Sequence, residues 1–118
     1  MDKVNPKSAC KIDILSFAEH VHQTAREHGW WNRDPNVGEK IALMHSELSE
    51  ALEAYREAGL NGSFPSSGKP EGLVVELADC IIRILDFCQY FNLPIITSLI
   101  EKARYNETRP YRHGNKTC

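Results

Sequence analysis

The sequence predicts an all-α protein, a single domain of four helices. Three observations predict it. Apolar residues recur at helical spacing in four separate stretches, clusters of turn-forming residues fall between those stretches, and no stretch reads as a convincing strand. The 118 residues suit one domain, residues 1–118, with a real core of limited size.

Each element follows in chain order. Residues 1–10, "MDKVNPKSAC", form a polar N-terminal extension without the apolar stretch of a secretory signal. A first helix is expected over residues 11–28, where Ile14, Phe17, Ala18, Val21 and Ala25 share a face and Gly29 supplies a stop. The loop "WWNRDPNVGEK" follows, with Asn, Asp, Pro and Gly as turn formers. A second helix is expected over residues 38–58, with Ile41, Met44, Leu48, Ala51, Leu52 and Tyr55 as one apolar stripe and Gly59 at its end. "GLNGSFPSSGKPEG" is rich in Gly, Ser and Pro and is long for a helix–helix connection. A mobile functional loop and a tolerated insertion both fit it.

The third helix, "EGLVVELADCIIRILDFC", is apolar almost throughout and ends near Phe91. Asn92 and Pro94 mark a boundary, and a fourth helix is expected over residues 93–106. The basic tail, residues 107–118, reads as irregular.

Composition narrows the function classes. The chain is 42% hydrophobic and 25% charged, with a net charge of −2, so no strong global field favours nucleic acid or a membrane surface. No run of about 18 uncharged apolar residues is present to span a membrane. Cys10, Cys80, Cys88 and Cys118 show no CxxC spacing, and Cys80 and Cys88 sit within the apolar helix. They read as free thiols of a cytoplasmic protein, with a disulfide as the competing reading.

The third helix is interrupted by charge. At about 100° per residue, Glu76, Asp79, Arg83, Asp86 and Tyr90 fall on one narrow stripe of an otherwise apolar cylinder. On the second helix, Glu47 and Glu50 flank the apolar stripe, while Glu53 and Glu57 point toward solvent. Residues three apart are helical neighbours, so Glu47 pairs with Glu50, and Glu76 with Asp79. If these helices pack together, four carboxylates face one another, at a desolvation cost of several kcal/mol per ion. Either some are protonated or a cation sits among them. A hard divalent cation is the simpler solution, and an all-oxygen set favours Mg²⁺ or Mn²⁺ over zinc. The competing reading solvates the acids, or pairs Asp79 and Asp86 with Arg83 along the same helix. A di-iron carboxylate bundle would need Glu-x-x-His on two helices, whereas both motifs here end in a carboxylate, Glu50 and Asp79.

Lys102, Asn106 and Arg109 recur at i, i+4 and i+7, so one face of a persisting helix carries all three. A point charge, an amide and a planar fork suit phosphate oxygens, against the plainer reading of a solvated basic C-terminus. Trp31 is a candidate base contact by stacking, behind the favoured reading that Trp30 and Trp31 bury their large apolar area in the core or a dimer interface. His45 reads as packed beside the motif, and His20, His22 and His28 as surface residues. His113 is open between phosphate contact and solvated tail.

Glu47-x-x-Glu50 followed by Glu76-x-x-Asp79 resembles the ExxE…ExxD signature of the MazG-like all-α nucleoside triphosphate pyrophosphohydrolases. The flanking "EKIALMHSELSEALEAYREAG", "GKPEGLVVELADCIIRILD" and "EKARYNETRPYRHGNK" resemble small single-domain members, so the resemblance covers roughly residues 28–116. It implies a four-helix bundle completed by oligomerisation, as a homodimer or homotetramer. It implies hydrolysis of an NTP or dNTP to a monophosphate and pyrophosphate, with Mg²⁺ as cofactor and Mn²⁺ as a substitute. Metal binding then falls to Glu47, Glu50, Glu76 and Asp79, water activation to Glu47 or Glu50, and phosphate contacts to Lys102, Asn106 and Arg109. The rival readings are a non-catalytic oligomerising module that binds nucleotide, and a metal-dependent phosphohydrolase acting on another phosphate ester.

Overall fold

Local capping chemistry decides where the first two helices begin. In the computed structural model, which describes residues 12–63 and 68–118, α1 runs Ile14–Glu27. Asp13 caps it: one carboxylate oxygen accepts the Leu15 N–H at 3.0 Å and the other accepts the Ser16 hydroxyl at 2.9 Å. The hydroxyl and then the N–H hold the Asp13 carboxyl below its ordinary range. The first helix therefore starts later than expected, at Ile14, because Ile12 and Asp13 are not helical. Gly29, at φ +82°, stops it as anticipated.

The second helix, α2, runs Val37–Ala58, with the Asn36 side chain accepting the Glu39 N–H at 3.0 Å. Gly59, at φ +66°, closes the far end by donating its N–H to the Tyr55 carbonyl at 2.8 Å. The chain then departs from the strand-free expectation. Two-residue strands β1 (Gly62–Ser63) and β2 (Glu71–Gly72) pair antiparallel, Gly62 with Gly72 and Ser63 with Glu71. The long connection is thus closed at its base by backbone groups that satisfy one another. Residues 64–67 of the anticipated loop, and the whole N-terminal extension, lie outside the described residues.

The third helix, α3, runs Leu73–Tyr90 directly after β2. Asn92 then takes φ +53°, a left-handed conformation that Asn tolerates better than most side chains. The fourth helix, α4, runs Ile95–Glu107. The tail holds one four-residue segment, α5 (Arg112–Asn115), within which His113 and Gly114 leave helical dihedrals.

The described residues are thus mostly helical, and α3 is the central element, packed against both α1 and α2. Ala18, Val21 and Leu85 form the buried cluster, with Phe17, Ile82 and Ile95 around it. Cys80 and Cys88 are buried free thiols, Cys118 is an exposed one, and Cys10 lies outside the described residues. Burial pushes the Cys88 thiol pKa up. No described helix is long and apolar enough to cross a membrane.

One chain leaves much of its apolar surface uncovered. Of the α2 stripe, Ala51 is buried, but Ile41, Leu48, Leu52 and Tyr55 are exposed. On α3, Val74, Leu77 and Ile81 are exposed as well. The side of α2 that meets α3 is a narrow one, running through Glu47 and Ala51.

The Asn36 cap holds the start of the helix that carries Glu47. Asn36→Ala is expected to lower stability by about 1 kcal/mol, and Asn36→Asp to retain it, as read from urea unfolding midpoints.

Candidate functional site

The charged stripe of α3 finds its partners on two different helices. Glu76 meets Glu47 and Glu50 of α2: one carboxylate oxygen from each of the three lies within 4.8 Å of the others. Glu47 is buried, Glu76 half-buried and Glu50 exposed. The Glu76 pKa is raised, first by desolvation, then by a hydrogen bond with Glu50 and the charges of Glu50, Asp79 and Glu47. Asp79 is half-buried and stands outside the three-oxygen group, although its charge reaches Glu76. Three of the four predicted acids therefore converge, and the fourth lies one helical turn away.

Arg83 does not pair with Asp79 or Asp86 along its own helix. Its Nε donates to Glu47 Oε1 across the helix pair at 2.7 Å. The buried Glu47 carboxylate requires a counter-charge, whereas Asp79 and Asp86 have other surroundings. Asp86 instead turns to the other side of α3. Its Oδ1 accepts the Trp31 indole N–H at 2.9 Å and lies 2.7 Å from His22 Nδ1. His22, expected at the surface, is half-buried in this contact, and His45, expected to be packed, is exposed. His22 moves inward because Asp86 and Trp31 give it polar and aromatic neighbours, with the two rings 5.9 Å apart. Tyr90 completes the stripe by stacking on Trp31 at 3.9 Å, with the rings 9° from parallel.

A cavity of about 360 Å³ opens between α1, α2 and α3. Glu47, Asp79, Arg83 and Asp86 line it together with Lys40 and His28, and Val21, Ala25, Leu43 and Ile82 give it apolar walls. Trp30 also lines it and is exposed, whereas Trp31 does not. One Trp31 face is taken by Tyr90, and the Lys40 ammonium lies 4.1 Å from the ring. Spacing along the chain does not tell the two adjacent indoles apart, because the turn that orients them lies outside any helical period.

The predicted phosphate-binding set sits elsewhere. Lys102, Asn106 and Arg109 line no part of the cavity. Lys102 and Arg109 gather instead around the Tyr105 ring, at 4.7 and 5.6 Å from its centre. The helix ends at Glu107, so Arg109 is not carried on a continuing helical face. His113 is exposed in the tail. Arg83 and Lys40, which sequence reading did not single out for phosphate, are the Lys and Arg side chains that line the cavity.

Searches against protein families, curated proteins and solved structures gave no match to this chain.

Two outcomes test the electrostatics of this site. A raised Glu76 means that the native state holds its proton more firmly than the unfolded chain. Its contribution is therefore full below the ordinary value of 4.5 and is lost as pH rises through the raised value. In EDTA, the stability of wild type relative to Glu76→Gln is expected to fall with rising pH, measured as the difference between their urea midpoints. Separately, Arg83→Leu leaves the buried Glu47 carboxylate without its donor. It is expected to cost about 1–3 kcal/mol, and adding Glu47→Gln should recover part of that loss.

Proposed function

We propose that this protein is a Mg²⁺-dependent nucleoside triphosphate pyrophosphohydrolase of the MazG-like kind. It would convert an NTP or dNTP to the monophosphate and pyrophosphate. The observation that carries the reading is the approach of Glu47, Glu50 and Glu76 from two helices to within 4.8 Å, beside a cavity of about 360 Å³. The donor set is all oxygen, and a cation offsets both the desolvation that chiefly raises the Glu76 pKa and the neighbouring acids that add to it. These residues therefore fit Mg²⁺, with Mn²⁺ as a substitute, and Asp79 completes the set from the next turn of α3.

A bound Mg²⁺ supplies Lewis acidity toward the phosphate oxygens and toward water. The chain's own residues do the rest. Glu50, the most exposed of the three acids, or Glu47 orients the attacking water and accepts its proton. The water oxygen bonds to the α-phosphorus as the bridging bond to the β-phosphate breaks, and pyrophosphate leaves. Arg83 and Lys40 in the cavity offset the phosphate charge. The resemblance assigns further phosphate contacts to Lys102, Asn106 and Arg109, which line no part of this cavity within one chain, and the proposed assembly is a homodimer or homotetramer. The exposed α2 and α3 faces, with Leu48, Leu52, Val74, Leu77 and Ile81, support such an assembly by leaving apolar area for another copy to cover.

Purified protein with Mg²⁺ is expected to release pyrophosphate, not orthophosphate, from a panel of triphosphates, and EDTA to stop it. Glu50→Gln and Asp79→Asn are each expected to lower kcat by about 100-fold or more at unchanged helical content. Orthophosphate as the first product, or wild-type turnover in both variants, would overturn the reading. Nucleotide binding without turnover would support the non-catalytic module instead.

A further inference from the structure

We infer that Asp86 reads the nucleobase, selecting bases whose edge carries an exocyclic amino group, as cytosine and adenine do. The inference rests on the triphosphate reading above and deepens it.

Asp86 is held with unusual firmness for a carboxylate on a cavity wall. The Arg26 Nε–H donates to His22 Nε2 at 2.7 Å, so that nitrogen is the acceptor and Nδ1 carries the hydrogen. Nδ1 then donates to Asp86 Oδ1, which also accepts the Trp31 N–H. Trp31 in turn is fixed by Tyr90 and Lys40. Both hydrogen bonds thus fall on one oxygen. Among the described residues, Oδ2 has no partner, and no partnerless side-chain oxygen is sealed from solvent. Oδ2 is therefore accessible, on a side chain that is 17% exposed and forms part of the cavity wall.

Its position suits a base. Seven residues, two helical turns or about 10 Å, separate Asp79 from Asp86 along α3. The acids that hold the phosphate end lie at one end of this span and Asp86 at the other. Apolar Val21, Ala25, Leu43 and Ile82 lie along the same cavity, and the Trp30 indole offers a stacking face.

An ionised carboxylate accepts hydrogen bonds and donates none. The amino group of cytosine or adenine donates to it, whereas the carbonyl of uracil or hypoxanthine at the same place presents a second acceptor. A site built to accept a hydrogen bond rejects an analogue that lacks the donor far more strongly than an apolar pocket rejects a change of size.

The test compares each triphosphate with its deaminated partner: dCTP with dUTP, and dATP with dITP, in pyrophosphate release. Wild type is expected to favour the amino member of at least one pair by about tenfold or more in kcat/KM. Asp86→Asn keeps an oxygen for Trp31 and His22 but turns the free position into an amide that donates. It is expected to shrink that ratio toward one, losing the amino substrate more than the carbonyl one. A purely structural role would slow both members alike and leave the ratio intact. Equal turnover of both pairs by wild type, or an unchanged ratio in Asp86→Asn, would overturn this inference while leaving the pyrophosphohydrolase reading in place. Failure of all four substrates to be hydrolysed or bound would remove both together.

Discussion

The ion pair between Arg83 and Glu47 is the contact on which the arrangement of the helices depends. Glu47 is buried, and a buried carboxylate without a partner costs about 1–3 kcal/mol or more. That cost penalises every sliding or rotation of α3 against α2 that separates the two side chains. The Cys80 thiol contact to the Met44 carbonyl, at 3.6 Å, marks the same register one turn away. With this register set, Glu76 has to arrive beside Glu47 and Glu50, because it lies two turns before Arg83 on the same stripe. The crowding of the acids is thus a consequence of the ion pair.

The same stripe serves two neighbours because it is long. Its first half, Glu76 to Arg83, addresses α2; its second half, Asp86 and Tyr90, addresses α1 and the turn that follows it. The cavity forms where the two halves diverge, and this is why it is lined by charges from α2 and α3 and by apolar residues from all three helices. The Trp31–Tyr90 stack closes the far end and anchors a turn that has no regular structure of its own. Hydrophobic burial contributes less to specifying this geometry. Among the described residues the buried apolar side chains are few and mostly small, and large ones on α2 and α3 are exposed.

Much of the architecture was legible in the residues. The four long helices follow from the 3.6-residue period of their apolar positions and from stops at Gly29, Gly59 and Asn92. The approach of Glu47, Glu50 and Glu76 was legible too, since a polar stripe on an apolar helix has to be satisfied by a neighbour. The pairing of β1 with β2 was not, because two-residue strands carry no period. The end of α4 at Glu107 falls one residue past the expected boundary at 106, and it leaves Arg109 off the face that Lys102 and Asn106 share, a face that would carry all three only in a helix that persisted.

The sequence by itself determined the helices, their polar and apolar faces, and the acids that had to find company, because those properties depend on spacing along one helix axis. Only the tertiary structure decided that Arg83 pairs with Glu47, that Asp86 joins His22 and Trp31, and that Trp30 rather than Trp31 lines the cavity. Those choices depend on the register and rotation between helices. They are fixed by packing and by the cost of unpaired buried charge, and no single helical period encodes them.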